Sequence, residues 1–184
     1  DPILHRISPF DTAHCENGVT VSLLRQQGLE FMTEPLAFGL GSGLFYIHIP
    51  FCKQACHYCD FHFSTNRSKQ QEMVEAIGRE LVLQKDYLKD ATIQSIYLGG
   101  GTPSLLSQEQ LQYLLAIIYT NFEVASDVEI TLEANPDDLD GNKLQAIRAS
   151  GVNRLSMGIQ SFHEPHLRFM NRAHNSQEAL RCIE

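Results

Sequence analysis

From residue 44 onward, short β-prone runs alternate with longer segments whose apolar residues recur at helical spacing. The β-prone runs are 45–49, 93–98, 127–132 and 152–159. Helical segments follow them at 68–88, from Ser107, around Leu144 and Ile147, and from about residue 163. Four βα units in succession predict an α/β fold whose parallel sheet is built with right-handed crossovers.

Two of the predicted helices carry an apolar face that is expected to pack on the sheet. In the first helix this face comprises Met73, Val74, Ile77 and Leu81. The second helix opens with a capping box, in which Ser107 is followed three positions later by Gln110. Its apolar stripe comprises Leu111, Leu114, Leu115 and Ile118.

The first 43 residues have a different character and are assigned to a short N-terminal segment. Val19, Leu23 and Leu24 form a partial helical stripe that Gly28 would end. A glycine-rich run at 38–43 is interpreted as a linker, because it lacks the G-K-[ST] ending of a phosphate loop. The core is therefore placed at 44–184.

Composition and charge exclude several classes of function. The 184 residues, 43% hydrophobic and 20% charged, are typical of a globular domain. The net charge of −8 argues against a surface for nucleic acid or anionic membranes. We find neither an apolar run long enough for a transmembrane segment nor a signal peptide. Five cysteines, three of them clustered, suit a reducing compartment, so a cytoplasmic location is expected.

The clustered cysteines directly follow the first β-prone run, which Pro50 closes. Cys52, Cys56 and Cys59 have the spacing C-x3-C-x2-C, which favours an iron–sulfur cluster. Three cysteines on a four-iron cluster leave one iron without a protein ligand, so a small molecule can bind there. A structural zinc site remains the alternative. Its fourth ligand would come from His57, Asp60, His62 or Cys15.

Other polar or glycine-rich motifs also come directly after predicted strands, and parallel strands bring such positions to one edge of the sheet. The glycines of GGGTP at 99–103 would let the backbone approach a charged ligand, unless they only form a tight turn. Glu133 suits a ribose or an ammonium group, although a solvated loop acid remains the alternative. Gln160 and Arg172 can hydrogen-bond a ligand carboxylate.

Five motifs in this order resemble the radical S-adenosylmethionine (SAM) superfamily. They are YIHIPFCKQACHYCDF, IYLGGGTPSLL, ITLEANPDDL, GVNRLSMGIQSF and LRFMNRAHN, and they cover about residues 44–184. Within the superfamily they resemble the heme chaperones HemW and the oxygen-independent coproporphyrinogen III oxidases. The resemblance implies a partial TIM barrel with about four βα units, whereas the family barrel has six and a further C-terminal region.

The resemblance also assigns roles to individual residues. Cys52, Cys56 and Cys59 would ligate a [4Fe–4S] cluster, whose open iron would bind the amino and carboxylate groups of SAM. The positions that match SAM contacts of the family are Tyr46, Tyr58, Gly100, Gly101, Thr102, Glu133, Gln160 and Arg172. In this superfamily the reduced cluster cleaves SAM to a 5′-deoxyadenosyl radical.

One departure separates the two relatives. The oxidase typically has a further cysteine two places after the third ligand, whereas here Cys59 is followed by Asp60 and Phe61. This pattern favours the chaperone, which implies heme binding and transfer to an acceptor protein. An oxidoreductase acting on a porphyrinogen remains the alternative. Heme or porphyrin, a heme acceptor and an electron donor are accordingly the expected partners besides SAM.

The N-terminal segment resembles a second family. HCxNG at 14–18 and FGLGSG at 38–43 are similar to the start of the BtrH N-terminal family, which has a papain-like acyl-transfer fold. That resemblance would make Cys15 a nucleophile, whereas an ordinary buried cysteine is the alternative. A natural fusion and a junction of two unrelated reading frames both remain open.

The chain begins without methionine and stops inside a predicted helix, so we expect it to be a piece of a longer protein. An incomplete barrel leaves an open sheet edge and exposed apolar surface. We therefore predict that the 184-residue chain alone is unstable or oligomeric, as measured by light scattering and thermal unfolding. A sharp, cooperative unfolding transition in a monomer would contradict this prediction.

Overall fold

The structure is a computed structural model that describes residues 21–25, 42–88 and 91–183. Its five strands are β1 Val21–Arg25, β2 Ser42–Ile49, β3 Thr92–Gly100, β4 Val124–Ala134 and β5 Arg154–Met157. Its five α-helices are α1 Gln70–Leu83, α2 Gln108–Asn121, α3 Gly141–Ala149, α4 Glu164–Phe169 and α5 Ser176–Arg181. Short 3-10 turns lie at Lys85–Leu88, Pro103–Leu105 and Pro136–Asp138.

The strands form one sheet in the order of the sequence, from β1 to β5. The pairs β2–β3, β3–β4 and β4–β5 are parallel. Each of these strands is followed by a helix, which confirms the predicted α/β fold with four βα units. Because parallel strands run the same way, the loops after β2, β3, β4 and β5 all leave from one edge of the sheet.

The N-terminal segment contributes a strand where the sequence pattern predicted a helix. Val21–Arg25 pairs antiparallel with β2, with Val21 opposite Ile47 and Arg25 opposite Gly43. The helix that was predicted from the apolar stripe including Leu23 and Leu24 is therefore wrong over these residues. The edge of β2 offers backbone hydrogen-bonding groups to a neighbouring strand. A five-residue segment gains more from pairing with them than from forming one isolated helical turn. Gly28 and Cys15 lie outside the described residues.

The two faces of the sheet differ in polarity. Successive side chains of a strand point to opposite faces of the sheet. In β2, Phe45, Ile47 and Ile49 are buried on the face that the helices cover. Tyr46, Tyr97 and Glu133 occupy the opposite, inner face, where Tyr46 stacks on Tyr97 with ring centroids 5.9 Å apart. This polar inner face leads up to the edge where the strand-end loops meet.

The first two helices follow the predicted apolar stripes closely. Val74, Ile77 and Leu81 of α1 are buried, and so are Leu111, Leu114, Leu115 and Ile118 of α2. The capping box of α2 is present, because Ser107 Oγ accepts from Gln110 N and Gln110 Oε1 accepts from Ser107 N. In α3, Ile147 is buried but Leu144 is 39% exposed, so only one of its two marker residues belongs to the core.

The region after β5 differs from the expected single helix. It contains two short helices, α4 and α5, separated by the segment 170–175. Asn171 takes a left-handed conformation with φ of 55°, which ends α4, and Asn175 begins α5 with a capping box. This break matters for the site, because it turns Arg172 toward the edge of the sheet. Among the described residues no helix has both the length and the apolar character needed to cross a membrane.

Candidate cofactor-binding site at the carboxyl ends of the strands

The loops after the four parallel strands surround a cavity of about 310 Å³. Ten of the eleven site residues singled out from the sequence line it. They are Cys52, Cys56, Tyr58, Cys59, Gly100, Gly101, Thr102, Glu133, Gln160 and Arg172. The structure thus brings together residues that lie more than 100 positions apart in the chain.

The three cysteines lie on one wrapped loop after β2. Hydrogen bonds close this loop at its base, from Ser64 N to Pro50 O at 2.8 Å and from Cys52 N to Ser64 O at 3.0 Å. A tighter turn inside it is closed from Cys59 N to Cys56 O at 3.1 Å. All three thiols are free; Cys52 is buried, whereas Cys56 and Cys59 are half-buried. The loop therefore presents three separate thiols to one cavity.

The environment of Cys52 opposes its ionisation, although two neighbours counteract this. Burial raises the pKa of the Cys52 thiol, while a hydrogen bond with Thr102 and the nearby charge of Arg172 act to lower it. The other two thiols add to the rise. Metal binding requires thiolates, so a positively charged iron centre would have to overcome this burial cost.

The arrangement differs from that of a zinc site. Among residues 42–88 and 91–183, no group of three or more Cys, His, Asp or Glu side chains is placed to hold a single metal ion. A tetrahedral zinc site requires its ligands to converge on one ion. A four-iron cluster instead takes each thiolate on a different iron, which suits three thiols spread around a cavity. Three free thiols on one cavity are the kind of donor set that such a cluster takes. His57, Asp60 and His62 form no single-ion group with them, and Cys15 lies outside the described residues.

The loop after β3 approaches the cysteine loop more closely than any side chain would allow. A methyl group at Gly101 would lie 2.7 Å from Phe51 O and 2.9 Å from Ile49 O. Gly101 N donates to Ile49 O at 2.9 Å across this contact. Gly100 has φ of +110°, and a methyl group there would lie 2.6 Å from the His48 ring. The glycines are therefore required by packing as well as by any ligand.

Glu133, at the end of β4, is held by two hydrogen bonds. Its Oε1 accepts from Tyr97 OH at 2.7 Å and its Oε2 accepts from Gly100 N at 3.1 Å. The carboxylate thus joins the inner face of the sheet to the glycine loop. It also affects its neighbours, since burial and then this negative charge raise the pKa of Tyr46 to about 12.

Tyr46 is the one singled-out residue that does not line the cavity. It lies on the inner face, where its hydroxyl is 3.2 Å from His48 Nδ1 and its ring packs beside the backbone of Gly99. Its predicted contact with SAM stays a prediction. In the structure it supports the layer beneath Glu133.

Arg172 reaches across the cavity from the segment between α4 and α5. Its Nη2 donates to Asn135 Oδ1 at 2.7 Å and to Gly158 O at 2.6 Å. Its Nη1 donates to Cys56 Sγ at 3.3 Å and to Tyr58 OH at 3.2 Å. Its Nε is buried and has no hydrogen-bond partner in the described part of the chain. Arg172 therefore places a positive charge beside a thiol and keeps one donor unused.

A network that the sequence analysis missed fastens the cysteine loop to the turn after β4. Lys53, next to Cys52, donates to Asp137 Oδ2 at 2.8 Å and also pairs with Asp138. Asp138 Oδ2 in turn accepts from Ser104 Oγ at 2.5 Å, on the loop after β3. Burial alone would lower the pKa of Lys53, but the hydrogen bonds to the two carboxylates raise it. The adjacent acids of NPDD were the only sequence signal for this network.

Comparison with known proteins identifies relatives that match about three quarters of this chain. The chain is 39% identical over 144 residues to the heme chaperone HemW of Haemophilus influenzae, and 40% identical over 141 residues to HemW of Escherichia coli. These alignments cover 75% and 76% of this chain but only 38% and 37% of the relatives. The chain thus spans less than two fifths of the length of the curated relatives it matches.

Among solved structures, the chain is similar to the Escherichia coli coproporphyrinogen III oxidase HemN, which is described as a radical SAM enzyme. The match has a TM-score of 0.67 and 30% sequence identity, and it covers 76% of this chain and 34% of that one. The four βα units described above are therefore part of a radical SAM barrel. The profile described as "Radical SAM superfamily" matches residues 46–184, well over half of the sequence, and the chain belongs to this superfamily.

Proposed function

We propose that Cys52, Cys56 and Cys59 hold a [4Fe–4S] cluster and that SAM binds beside it in the same cavity. The observation that carries this proposal is the convergence of three free thiols, a glycine loop, Glu133 and Arg172 on one cavity at the carboxyl ends of parallel strands. Membership of the radical SAM superfamily supports it independently. When bound, the cluster supplies one-electron chemistry that no side chain of the protein can supply.

The protein residues would bind and orient the ligands. The backbone of Gly100 and Gly101 passes close to the cysteine loop, so a ligand ammonium or carboxylate can approach main-chain groups there. Glu133 offers a carboxylate for an ammonium or ribose hydroxyl, and the unused Nε of Arg172 offers a donor for a carboxylate. Tyr58, Thr102 and Gln160 complete the set that we assign to SAM, with Tyr46 beneath it.

For the protein to which this chain belongs, we propose the role of a HemW-like chaperone, which binds heme and transfers it to an acceptor protein. Its support is the identity of 39–40% to HemW proteins, together with Phe61 in place of a further cysteine two positions after Cys59. Oxidation of a porphyrinogen is the second candidate, and the likeness to HemN at 30% identity favours keeping it. Both candidate functions include a partner that donates electrons to the cluster.

We also propose that residues 44–184 are the N-terminal part of the radical SAM core and that residues 1–43 are a separate segment. The superfamily match from residue 46 supports this division. We keep the cytoplasmic location as part of the proposal, because three free ligand thiols require a reducing environment.

Anaerobic reconstitution is expected to give close to four irons and four sulfides per chain. Adding SAM should then change the absorption and EPR spectra of the cluster. Cys56→Ala should lose most of the iron, because it removes one of three thiolate ligands. Cys182→Ala is the matched control, since Cys182 is a free cysteine that is not among the residues lining the cavity, and it should keep wild-type iron content. Zinc bound without sulfide would overturn the cluster assignment.

Glu133→Gln is expected to weaken SAM binding while iron content stays at the wild-type level. The substitution removes a charge that accepts two hydrogen bonds at the cavity wall, which corresponds to a loss of roughly tenfold or more in affinity. The measurement is SAM titration by calorimetry on the reconstituted protein. Glu129→Gln is the control on the same strand, outside the cavity lining. Equal affinity in the two variants would exclude Glu133 from the SAM site.

The choice between chaperone and oxidase is tested on the protein as its natural gene encodes it, offered hemin and coproporphyrinogen III in parallel. We expect hemin to bind with a shift of its Soret absorption and to move to an apo-acceptor protein. Coproporphyrinogen III should remain unconsumed in the presence of SAM and a reductant. Its consumption together with SAM would establish the oxidase instead.

A further inference from the structure

The end of α4 is shaped by one asparagine in a glycine-like conformation. Asn171 has φ of 55°, and its N donates to Arg168 O at 3.0 Å. The next residue, Arg172, donates from N to Leu167 O at 2.9 Å. These two bonds are the pattern of a Schellman motif, in which Asn171 occupies the position that glycine most often fills. The backbone alone would therefore accept glycine at least as well as asparagine.

The asparagine side chain has a second set of partners, on the cysteine loop. Asn171 Nδ2 donates to Ala55 O at 2.7 Å. Gln54 Nε2 donates both to Asn171 Oδ1 at 2.7 Å and to Asn171 O at 2.9 Å. The Gln54 side chain thus donates to Asn171, and the Asn171 side chain donates back to the backbone of the next residue, Ala55; we call this arrangement the Gln54–Asn171 clasp. Glycine at 171 would keep the helix end but lose two of these three bonds.

Two further bonds lie beside the clasp and join the same two segments. His57 N donates to Met170 O at 3.0 Å, and Phe169 O accepts from His57 Nδ1 at 2.9 Å. Residues 54, 55 and 57 are therefore all attached to the end of α4. The two bonds donated by Gln54 are half-buried, so water competes with them less than with the exposed bond from Asn171 to Ala55.

The location of the clasp links it to the chemistry of the site. Gln54 and Ala55 lie between the first two cysteines of the motif, so the clasp restrains the stretch that separates Cys52 from Cys56. On its other side, Asn171 directly precedes Arg172, whose Nη1 donates to Cys56 Sγ. One clasp therefore restrains both a thiol and the cation that contacts it.

We propose that Asn171, with Gln54, is a positioning residue that holds the cysteine loop and Arg172 in register with each other. The inference rests on the proposed function, since it assigns the clasp to the site that binds the cluster. A glycine would suffice if residue 171 only had to end α4. The amide is needed because it fastens the loop that carries the ligands to the segment that carries the arginine.

The test compares Asn171→Gly and Gln54→Ala with the wild-type chain. Asn171→Gly keeps the left-handed helix end, and Gln54→Ala leaves α4 untouched, so both variants keep the local backbone. After reconstitution, cluster loss to an iron chelator should be at least about fivefold faster in each variant, the factor expected for one net hydrogen bond. In cluster-free protein, alkylation of Cys56 should likewise accelerate. Asn142→Ala and Gln145→Ala, exposed on α3, are the matched controls and should match the wild type.

The outcomes separate this inference from the proposed function. If Asn171→Gly matches the wild type in both assays while Asn171→Ala is impaired, residue 171 serves only the helix end and the inference is overturned. If the wild type assembles no cluster, the proposed function fails, and the alkylation rates still decide whether the clasp restrains the cysteine loop. Faster alkylation in both clasp variants, with unchanged controls, supports the inference in either case.

Discussion

A close backbone contact between the loops that follow β2 and β3 determines the geometry of the site. At Gly101 the chain passes so near Phe51 that a single methyl group would lie 2.7 Å from its carbonyl oxygen. Such a distance is below van der Waals contact, so any side chain would push the two loops apart. The cysteine loop and the glycine loop can border one cavity only because this position carries no Cβ.

The other connections at the site are polar and join the strand-end loops in pairs. Lys53 links the cysteine loop to Asp137 and Asp138, and Ser104 extends this link to the loop after β3. Arg172 bridges Asn135, Gly158 and Cys56 from the opposite side. The strength of such hydrogen bonds depends strongly on their angle. They therefore allow the loops a smaller range of relative orientations than apolar packing would. The site is consequently a set of loops that restrain one another above a rigid parallel sheet.

Much of the fold was predictable because its elements carry local signals. The alternation of buried residues along β2 and β4, and the stripes of α1 and α2, depend only on the period of the element. The errors fell where tertiary contacts outweigh local preference. Val21–Arg25 joins β2 as a strand because a free edge offers hydrogen bonds that an isolated helical turn lacks. The segment after β5 splits into two helices because Asn171 takes a left-handed conformation where His57 of the cysteine loop contacts the end of α4, and because the Asn175 side chain caps α5.

The sequence by itself determined the chemistry that is available: three thiols at a cluster spacing, a glycine loop, a carboxylate and a guanidinium, each placed after a strand. Only the tertiary structure decided which groups touch. It placed Tyr46 beneath the cavity rather than in its wall, and it joined Gln54 to Asn171 across 117 positions of the chain. The reason is physical: element type follows from short-range periodicity, whereas a contact between distant loops depends on how the whole sheet brings their ends together.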